Sequence, residues 1–558
     1  MPDSCGPWLT QLFMMAGAET IILFQEPIPL LSPERWFKHL FVVVSFSCAA
    51  LALAQNTRVT IDAGTLQGAV SDGVVAFKGI PYAQPPVGAL RWRAPQPVKP
   101  WTGVRQATAY AHDCMQNPFP NDMAPPVQPT SEDCLYLNVL APADKSAAPL
   151  PVMVWIHGGG SVIGGTTPAV YQGYAFVQHG VIFVSINYRL GRLGYFAHPA
   201  LTAEHADGDL LANYGYMDQI AALKWVQRNI AAFGGDQNNV TVFGESHGGR
   251  SMHMLLGTSL AKGLFKRAII ESGFGRMYQP PLSVPMGDGG SSAEQIGLRW
   301  AKSVGIDGSA AEALKKLRAL PAQTVIGHVG FGSGRGNYSG PAIDGKLVPA
   351  DSPDIYLSDD NQHVPLLLGG NSYDTGTAAG KSMDAIYAEF GPYAGQAKKA
   401  YTAAGATDLA TLKTMVGRDR LELEPTRFTA RVFASEGLPV YEYRFSYVAT
   451  AKRGEWKGAP HATEIPYVFN TLNAEYGDQV TAEDRQVADA TIRYWTNFAK
   501  TGDPNGPGLP EWPRYSTQTD LLMNFTAQGK PEAMPDPFKA RLDVVSEAAS
   551  SVAAPSPR

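Results

Sequence analysis

The chain contains 558 residues, of which 45% are hydrophobic, and it carries a formal net charge of -5 at pH 7. This composition provides for a large hydrophobic core and excludes a disordered or fibrous protein. Because the net charge is small and the sequence has no long basic run, nucleic acid is not an expected partner.

Residues 1–54 are interpreted as a leader that ends in a secretory signal peptide. Arg35 and Lys38 precede an apolar run that ends in an Ala-x-Ala cleavage site at Ala54. We therefore predict a secreted or periplasmic protein. No membrane span would remain after cleavage, because the apolar run is shorter than the ~20 residues of a span. A retained anchor and a lipoprotein acylated at Cys48 are the alternatives, and the long stretch before Arg35 leaves the translation start open.

Removal of the leader would take away Cys5 and Cys48 and leave Cys114 and Cys134. In an oxidising compartment the two remaining cysteines are expected to form a disulfide. Neither of them belongs to a zinc-ligand pattern, so no metal site is predicted.

The rest of the chain is predicted to form one α/β domain over residues 55–545. Residues 57–83 alternate apolar and polar side chains around turns, which predicts a small antiparallel sheet. From Leu150 onward, apolar segments such as LPVMVWI, VIFVSINY and VPLLLGG alternate with helical stretches such as residues 217–236. This alternation is typical of a mostly parallel sheet covered on both faces. The tail, residues 546–558, is predicted to be disordered.

The segment VTVFGESHGGR places Ser246 between glycines, directly after a predicted strand and before a predicted helix. Gly-x-Ser-x-Gly in this context indicates a nucleophile elbow, in which a sharp turn exposes the serine hydroxyl above the sheet edge. The pattern alone is weak, because a composition this rich in glycine produces about 0.4 matches by chance. A plain glycine-rich turn is the alternative interpretation.

A serine nucleophile needs a base to take its proton and an acid to orient that base. In α/β-hydrolases the chain order is serine, acid, histidine. Asp374 follows the apolar strand VPLLLGG, so it is expected at the same sheet edge as Ser246. Downstream of Asp374 the chain contains a single histidine, His461. We therefore predict Ser246, Asp374 and His461 as a catalytic triad.

The apolar segment VMVWI runs into His157 and three glycines that include Gly159 and Gly160. Glycines let backbone N–H groups approach a substrate, so this loop is predicted to form an oxyanion hole. The backbone N–H of His247, which follows the nucleophile, would add a donor. We expect the His157 side chain to brace the loop and His253 to pack within the helix after the elbow.

Longer motifs surround these residues: FKGIPYAQPPVGALRWRAPQP at 77–97, SEDCLYLNV at 131–139, NYRLGRLGYF at 187–196, MDQIAALKWVQRNIAAFGGD at 217–236 and TGDPN at 501–505. With them, the chain resembles the type-B carboxylesterase family, which includes cholinesterases and para-nitrobenzyl esterases, from about Thr57 to Tyr515. The resemblance implies an α/β-hydrolase fold with a large mostly parallel central sheet, a small N-terminal antiparallel sheet and helical insertions. It also implies hydrolysis of a small-molecule ester through an acyl-enzyme, without metal or cofactor.

The resemblance assigns the same triad and takes the backbone N–H groups of Gly159, Gly160 and His247 as the oxyanion donors. Three further features are implied: a disulfide between Cys114 and Cys134, an ion pair between Arg91 and Glu132, and support of the site by Glu245 and Ser272.

Three residues depart from the family pattern. His247 stands where alanine is usual, and its amide is expected to matter more than its ring, because successive side chains diverge at an elbow. Asp374 stands where many relatives use glutamate, so the backbone has to bring this shorter acid nearer His461. Ser161 stands where an aromatic residue is common, which would widen the acyl side of the pocket.

The predicted function is therefore that of a serine carboxylesterase, with amides or carbamates as alternative substrates of the same triad. A choline ester is disfavoured, because the segment between Cys114 and Cys134 holds Phe119 but no tryptophan for cation–π binding. A non-catalytic binding protein of the same fold is the alternative outside enzymology, and the presence of all three triad residues argues against it. The sequence leaves the oligomeric state and the natural ester open.

Overall fold

The structure is a computed structural model that describes residues 57–552, apart from 121, 145, 286–289, 332, 334–335 and 359. The predicted leader and signal peptide lie outside the described residues. Export therefore stays a prediction.

The main sheet contains eleven strands within the described ranges. In chain order they are β1 Ala69–Ser71, β2 Val74–Pro81, β3 Tyr136–Pro142, β4 Leu150–Ile156, β5 Ile182–Ile186, β6 Gly235–Glu245, β7 Arg267–Glu271, β8 Leu366–Asn371, β9 Val440–Phe445, β10 Leu521–Phe525 and β11 Pro531–Pro535. Their order across the sheet is β11-β10-β9-β8-β7-β6-β4-β5-β3-β2-β1. The strands β4 to β10 are parallel to one another, whereas β1, β2, β3 and β11 pair antiparallel with their neighbours.

The N-terminal strands divide between two sheets. Arg58–Ile61 pairs antiparallel with Gly64–Gln67, which pairs parallel with Val104–Gln106, and these form the small separate sheet. The hairpin of β1 and β2 instead extends the edge of the main sheet through β3. Assigning all of residues 57–83 to the small sheet is therefore wrong for the hairpin. The reason is that β2 is buried on both faces and requires the core of the main sheet to cover it.

Two further pairs of short strands lie in the connections: Asp113–Cys114 with Thr130–Ser131, and Tyr195–Phe196 with Ala212–Asn213. The α-helices are α1 Tyr174–Gln178, α2 Gly191–Gly194, α3 Pro199–Glu204, α4 Tyr214–Asn229, α5 His247–Gly257, α6 Ala293–Ser303, α7 Ala311–Ala319, α8 Ala322–Ile326, α9 Ser352–Leu357, α10 Met383–Ala388, α11 Ala394–Ala403, α12 Leu409–Arg418, α13 Glu424–Ser435, α14 Ile465–Val468, α15 Leu472–Tyr476, α16 Ala482–Thr501 and α17 Lys539–Val552. Short 3₁₀ turns lie at Gly88–Leu90, Ala169–Tyr171, Ala206–Asp209, Ile230–Phe233, Ser259–Ala261, Gly391–Tyr393, Thr450–Lys452 and Gly477–Gln479, and a π-helical turn lies at Asp419–Leu423.

Alternate side chains of β4 enter hydrophobic cores on opposite faces of the sheet. Val154 belongs to the same buried cluster as Leu223 of α4, whereas Trp155 shares its cluster with Trp495 of α16. A parallel strand covered on both faces has to be apolar at successive positions, which explains the uninterrupted segment LPVMVWI. None of the described helices has the length and hydropathy needed to span a membrane.

The end of the chain differs from its prediction. Helix α17 continues through residues 546–552, so the prediction of a disordered tail is wrong there. Alanine favours helix, and Ala548 packs against the hydrophobic cluster that contains Tyr401 and Val545. Residues 553–558 lie outside the described residues, and the boundary of the catalytic domain stays a prediction.

Candidate active site

Ser246 lies in the turn between β6 and α5, at the carboxyl edge of the sheet. Its backbone adopts φ 56° and ψ -118°, a conformation that non-glycine residues rarely populate. The flanking glycines allow a close approach to the end of β4. A Cβ at Gly244 would lie 2.5 Å from the carbonyl oxygen of Ile156, and a Cβ at Gly248 would lie 1.9 Å from the same atom. The Gly-x-Ser-x-Gly spacing is therefore a steric requirement of this elbow.

The glycine loop after β4 lies directly against the elbow. A Cβ at Gly158 would be 3.1 Å from the Cβ of Ser246. Gly159 and Gly160 have φ of 97° and 61°, which suit glycine. Among the hydrogen bonds of the described residues, none is donated by the backbone N–H of Gly159, Gly160 or His247. The structure thus leaves these three predicted oxyanion donors available in segments that meet at Ser246.

The two other histidines near the elbow have structural partners. His157 is buried, and its Nδ1 donates to the carbonyl oxygen of Gly158 at 2.9 Å. Burial lowers the pKa of His157 to about 4, so its ring is neutral and braces the loop as expected. His253 Nδ1 lies 2.6 Å from the hydroxyl of Tyr356, in agreement with its predicted packing role.

Asp374 and His461 meet through their side chains, with His461 Nδ1 2.6 Å from Asp374 Oδ1. The loops that carry them, after β8 and β9, are joined by a parallel β-bridge between Tyr373 and Pro460. The side chain of Asn371 adds a hydrogen bond to the carbonyl oxygen of Pro460 at 2.6 Å. This backbone pairing supplies the close approach that the shorter aspartate was expected to need.

Asp374 is buried but well provided with donors. Its Oδ2 accepts hydrogen bonds from the Ser272 hydroxyl at 2.7 Å and the Asn371 N–H at 3.0 Å, and its Oδ1 accepts the Thr375 N–H at 2.7 Å. Burial alone would raise the pKa of Asp374, but the charge and hydrogen bond of His461, with these donors, hold it below its usual value. Asp374 is therefore ionised at neutral pH and fixes the proton of His461 on Nδ1.

The other ring nitrogen of His461 faces the elbow. Its Nε2 lies 3.2 Å from Glu245 Oε1, although without the geometry of a hydrogen bond. In the described part of the chain, no hydrogen bond joins this nitrogen to the hydroxyl of Ser246. Such bonds are often long in free enzymes and tighten in the complex with substrate. Burial lowers the pKa of His461, but the carboxyl groups of Glu245 and Asp374 outweigh burial and raise it well above its usual value.

Buried carboxyl groups surround this pair. Burial raises the pKa of Glu245 well above its usual value, that of Glu464 to about 7 and that of Glu271 to about 8. Glu464 Oε2 accepts a hydrogen bond from the side chain of Asn371, and Glu271 Oε1 accepts one from Trp495 Nε1 at 2.7 Å. The sequence prediction missed Glu464 and Glu271, because nothing in the local pattern marks them as buried.

Ser246 and His461 open into a cavity of about 190 Å³ whose walls include Phe119, Phe331 and Tyr171. The rings of Phe119 and Phe331 contact each other edge to face, with centroids 4.7 Å apart. Cavities of about 410 and 500 Å³ lie elsewhere on the surface, but no serine, cysteine or histidine lines either of them. Of these three cavities, the one lined by Ser246 and His461 is therefore the candidate substrate-binding cavity.

The features implied by resemblance are also present. Cys114 and Cys134 form a disulfide, and Arg91 pairs with both carboxylate oxygens of Glu132 at 2.6 and 2.7 Å, which confirms both predictions. Ser161 is instead buried, with its hydroxyl 2.9 Å from that of Tyr338. The expected widening of the acyl side at this position stays a prediction.

Within the described ranges, no three histidine, cysteine, aspartate or glutamate side chains gather as a metal site requires. The prediction of an enzyme without metal or cofactor stays a prediction.

The chain is similar to known proteins over most of its length. The sequence pattern of the carboxylesterase family matches residues 55–543. The chain is 33% identical over 490 residues to the fumonisin B1 esterase of Sphingopyxis macrogoltabida, an alignment that covers 84% of this chain and 87% of that protein. It is 34% identical over 509 residues to liver carboxylesterase 1 of Mus musculus, covering 82% and 86% of the two chains.

Solved structures show the same likeness. A PNB esterase superposes with a TM-score of 0.73 at 32% identity, over 88% of this chain and 100% of that one. A carboxylesterase of Geobacillus stearothermophilus gives a TM-score of 0.73 at 32% identity, over 88% of this chain and 99% of the other. The α/β-hydrolase fold expected from the resemblance is thereby confirmed.

Proposed function

The chain belongs to the carboxylesterase family and is a carboxylic ester hydrolase, and on this premise we propose that it acts through an acyl-enzyme formed on Ser246. In this proposal His461 is the general base and Asp374 orients it. The substrate is a small-molecule ester.

The proposed reaction begins when Ser246 Oγ attacks the ester carbonyl while His461 Nε2 takes the hydroxyl proton. The tetrahedral oxyanion receives hydrogen bonds from the N–H groups of Gly159, Gly160 and His247. His461 then returns the proton to the leaving alcohol. In the second half, a water molecule loses a proton to His461 and attacks the acyl carbon. His461 then returns that proton to Ser246 Oγ as the acyl–oxygen bond breaks, which releases the acid and free Ser246.

One observation carries the proposal most strongly: the 2.6 Å contact between His461 Nδ1 and Asp374 Oδ1, at the wall of the cavity that contains Ser246. An ionised acid on one ring nitrogen leaves the other nitrogen as an acceptor. The charge of His461 and the hydrogen bonds to Asp374 hold the pKa of Asp374 below its usual value, so Asp374 is ionised and can stabilise the imidazolium that forms when the serine proton arrives.

The cavity also supports a substrate range. Phe119, Phe331 and Tyr171 give it an aromatic wall, which favours esters with an apolar acyl or alcohol group. We further propose export to an oxidising compartment. The disulfide between Cys114 and Cys134 supports this, because such bonds persist mainly outside the reducing cytosol.

Labelling with a fluorophosphonate tests the nucleophile. The wild-type chain should gain the mass of one adduct, and peptide mapping should place it on Ser246. Ser246→Ala should remain folded by circular dichroism, take up no label and lose ester hydrolysis. A label on another residue, or hydrolysis retained by Ser246→Ala, would refute the proposal.

A further inference from the structure

We infer that Tyr188 and the side chain of His247 form a clamp that positions the two backbone segments of the oxyanion hole relative to each other. Gly159 and Gly160 belong to the loop after β4, whereas the N–H of His247 belongs to the start of α5. These segments lie far apart in sequence, so tertiary contacts have to fix the distance between the glycine loop and the start of α5. The inference rests on the proposed function, in which these N–H groups bind the oxyanion.

One side of the clamp holds the glycine loop. The ring of Tyr188 stacks on the imidazole of His157, with centroids 4.4 Å apart and an interplanar angle of 18°. The hydroxyl of Tyr188 donates to the carbonyl oxygen of His157 at 2.7 Å. Since His157 immediately precedes the glycines, one fully buried tyrosine fixes both the side chain and the backbone at the start of that loop.

The other side of the clamp holds the elbow through the His247 side chain, which is 2% exposed. Its ring stacks near that of Tyr188, with centroids 6.2 Å apart at 29°, and near that of Tyr216, at 5.8 Å and 5°. Its Nε2 lies 3.3 Å from the hydroxyl of Tyr195. These separations fall within the range of favourable aromatic contacts.

The contacts define what the ring of His247 does. Within the described residues, the ring contacts tyrosines and makes no ring contact with His461 and no hydrogen bond with Ser246. Burial lowers the pKa of His247 well below its usual value, so the ring stays neutral and carries no proton in the reaction. An alanine, which is usual here in the family that the sequence resembles, could not reach Tyr188. His247 and Tyr188 are therefore positioning residues.

Positioning matters because an oxyanion donor works only when its N–H reaches the developing charge at hydrogen-bond distance. Loss of a complete donor costs on the order of 10²–10³ in kcat, so a displaced donor should cost less, about 10-fold. The expected signature is a fall in kcat with little change in KM, since the oxyanion exists in the transition state and not in the bound ester.

The primary test compares His247→Ala with a matched control, His253→Ala. Both histidines lie in α5, both are 2% exposed, and each contacts a tyrosine hydroxyl. Both variants leave a buried cavity and should lose similar thermal stability. At a temperature where both are folded, we expect kcat to fall about 10-fold in His247→Ala alone. His247→Phe, which keeps a stacking ring, should restore most of kcat.

An inhibitor pair isolates the oxyanion. A trifluoromethyl ketone forms a tetrahedral adduct with the serine, whereas the matching methyl ketone measures ordinary binding. His247→Ala should weaken the trifluoromethyl ketone by about the same factor as kcat, and the methyl ketone by less than about 2-fold. Equal losses for both ketones, or equal kcat losses in the His253→Ala control, would overturn the clamp.

A double-mutant cycle tests whether the two residues act together. Tyr188→Leu and His247→Ala should each lower kcat, and the double variant should be far less impaired than the product of the single effects. Multiplicative effects would overturn the clamp while leaving the proposed function intact. Failure of the wild-type chain to take up fluorophosphonate on Ser246 would instead remove the proposed function itself, so the two failures are distinguishable.

Discussion

The nucleophile half of the site and the acid–base half are held in place by different kinds of structure. Ser246 lies in the turn between a strand and the helix that directly follows it. Glycines in the same short segment allow this turn to approach the end of β4 closely. Asp374 and His461 are 87 residues apart and meet because the bridge between Tyr373 and Pro460 joins their loops. A local motif therefore specifies the nucleophile, whereas pairing between distant loops assembles its base.

The largest effect expected in the acid–base half comes from removing the base. His461→Ala should lower kcat by about 10⁴-fold or more, because no other group would take the proton of Ser246. His363→Ala, at a histidine whose side chain is 47% exposed, is the control and should leave kcat unchanged. Stopped-flow and steady-state hydrolysis of a p-nitrophenyl ester measure both. A loss below about 100-fold would assign the base elsewhere.

Changing the acid should have the next largest effect. Asp374→Asn keeps the shape but lets His461 adopt the wrong tautomer, so kcat should fall about 10³–10⁴-fold. Asp374→Glu retains the charge, but its longer side chain overfills a position that the β-bridge sets for the shorter acid. Its kcat should therefore fall about 10–100-fold. Equal losses in the two variants would show that charge and tautomer are unimportant here.

The smallest expected effect is a shift in the midpoint of the pH profile of kcat/KM. Because the pKa of His461 is raised, the base stays protonated to higher pH, and kcat/KM should increase with pH through a midpoint above the ordinary ~6.5. Asp374→Asn removes a negative charge and should move this midpoint down in its residual activity. Glu245→Gln should also move it down, because the carboxyl group of Glu245, 3.2 Å from His461 Nε2, contributes to the raised pKa of His461.

The profiles decide which carboxyl group sustains the shift. If Glu245→Gln leaves the midpoint unchanged, Glu245 is protonated beside His461, and of the two carboxyl groups only Asp374 raises the pKa of His461. Measurement of kcat/KM between pH 5 and 9 for the three proteins separates these outcomes.

The sequence predicted the two halves with unequal completeness. Ser246 followed from its motif, and His461 followed by elimination, because one histidine remains after Asp374. Local sequence patterns did not predict a role for Glu464 or Glu271, whose side chains become buried only when several strands and helices pack around them. The alternation of apolar and polar residues also could not show that the hairpin of β1 and β2 pairs with β3. The same pattern fits pairing with the two preceding strands, which form the small sheet.

Features that depend on near neighbours could be predicted from the residues alone: the elbow, the glycine loop, the apolar parallel strands and the order of the predicted triad. Features that depend on distant segments became visible only in the folded chain. Folding brought Asp374 within 2.6 Å of His461, and it placed Tyr188 between His157 and His247. The physical reason is that backbone conformation is set largely by local sterics, whereas the distances and burial that set pKa values and aromatic contacts arise when the chain packs.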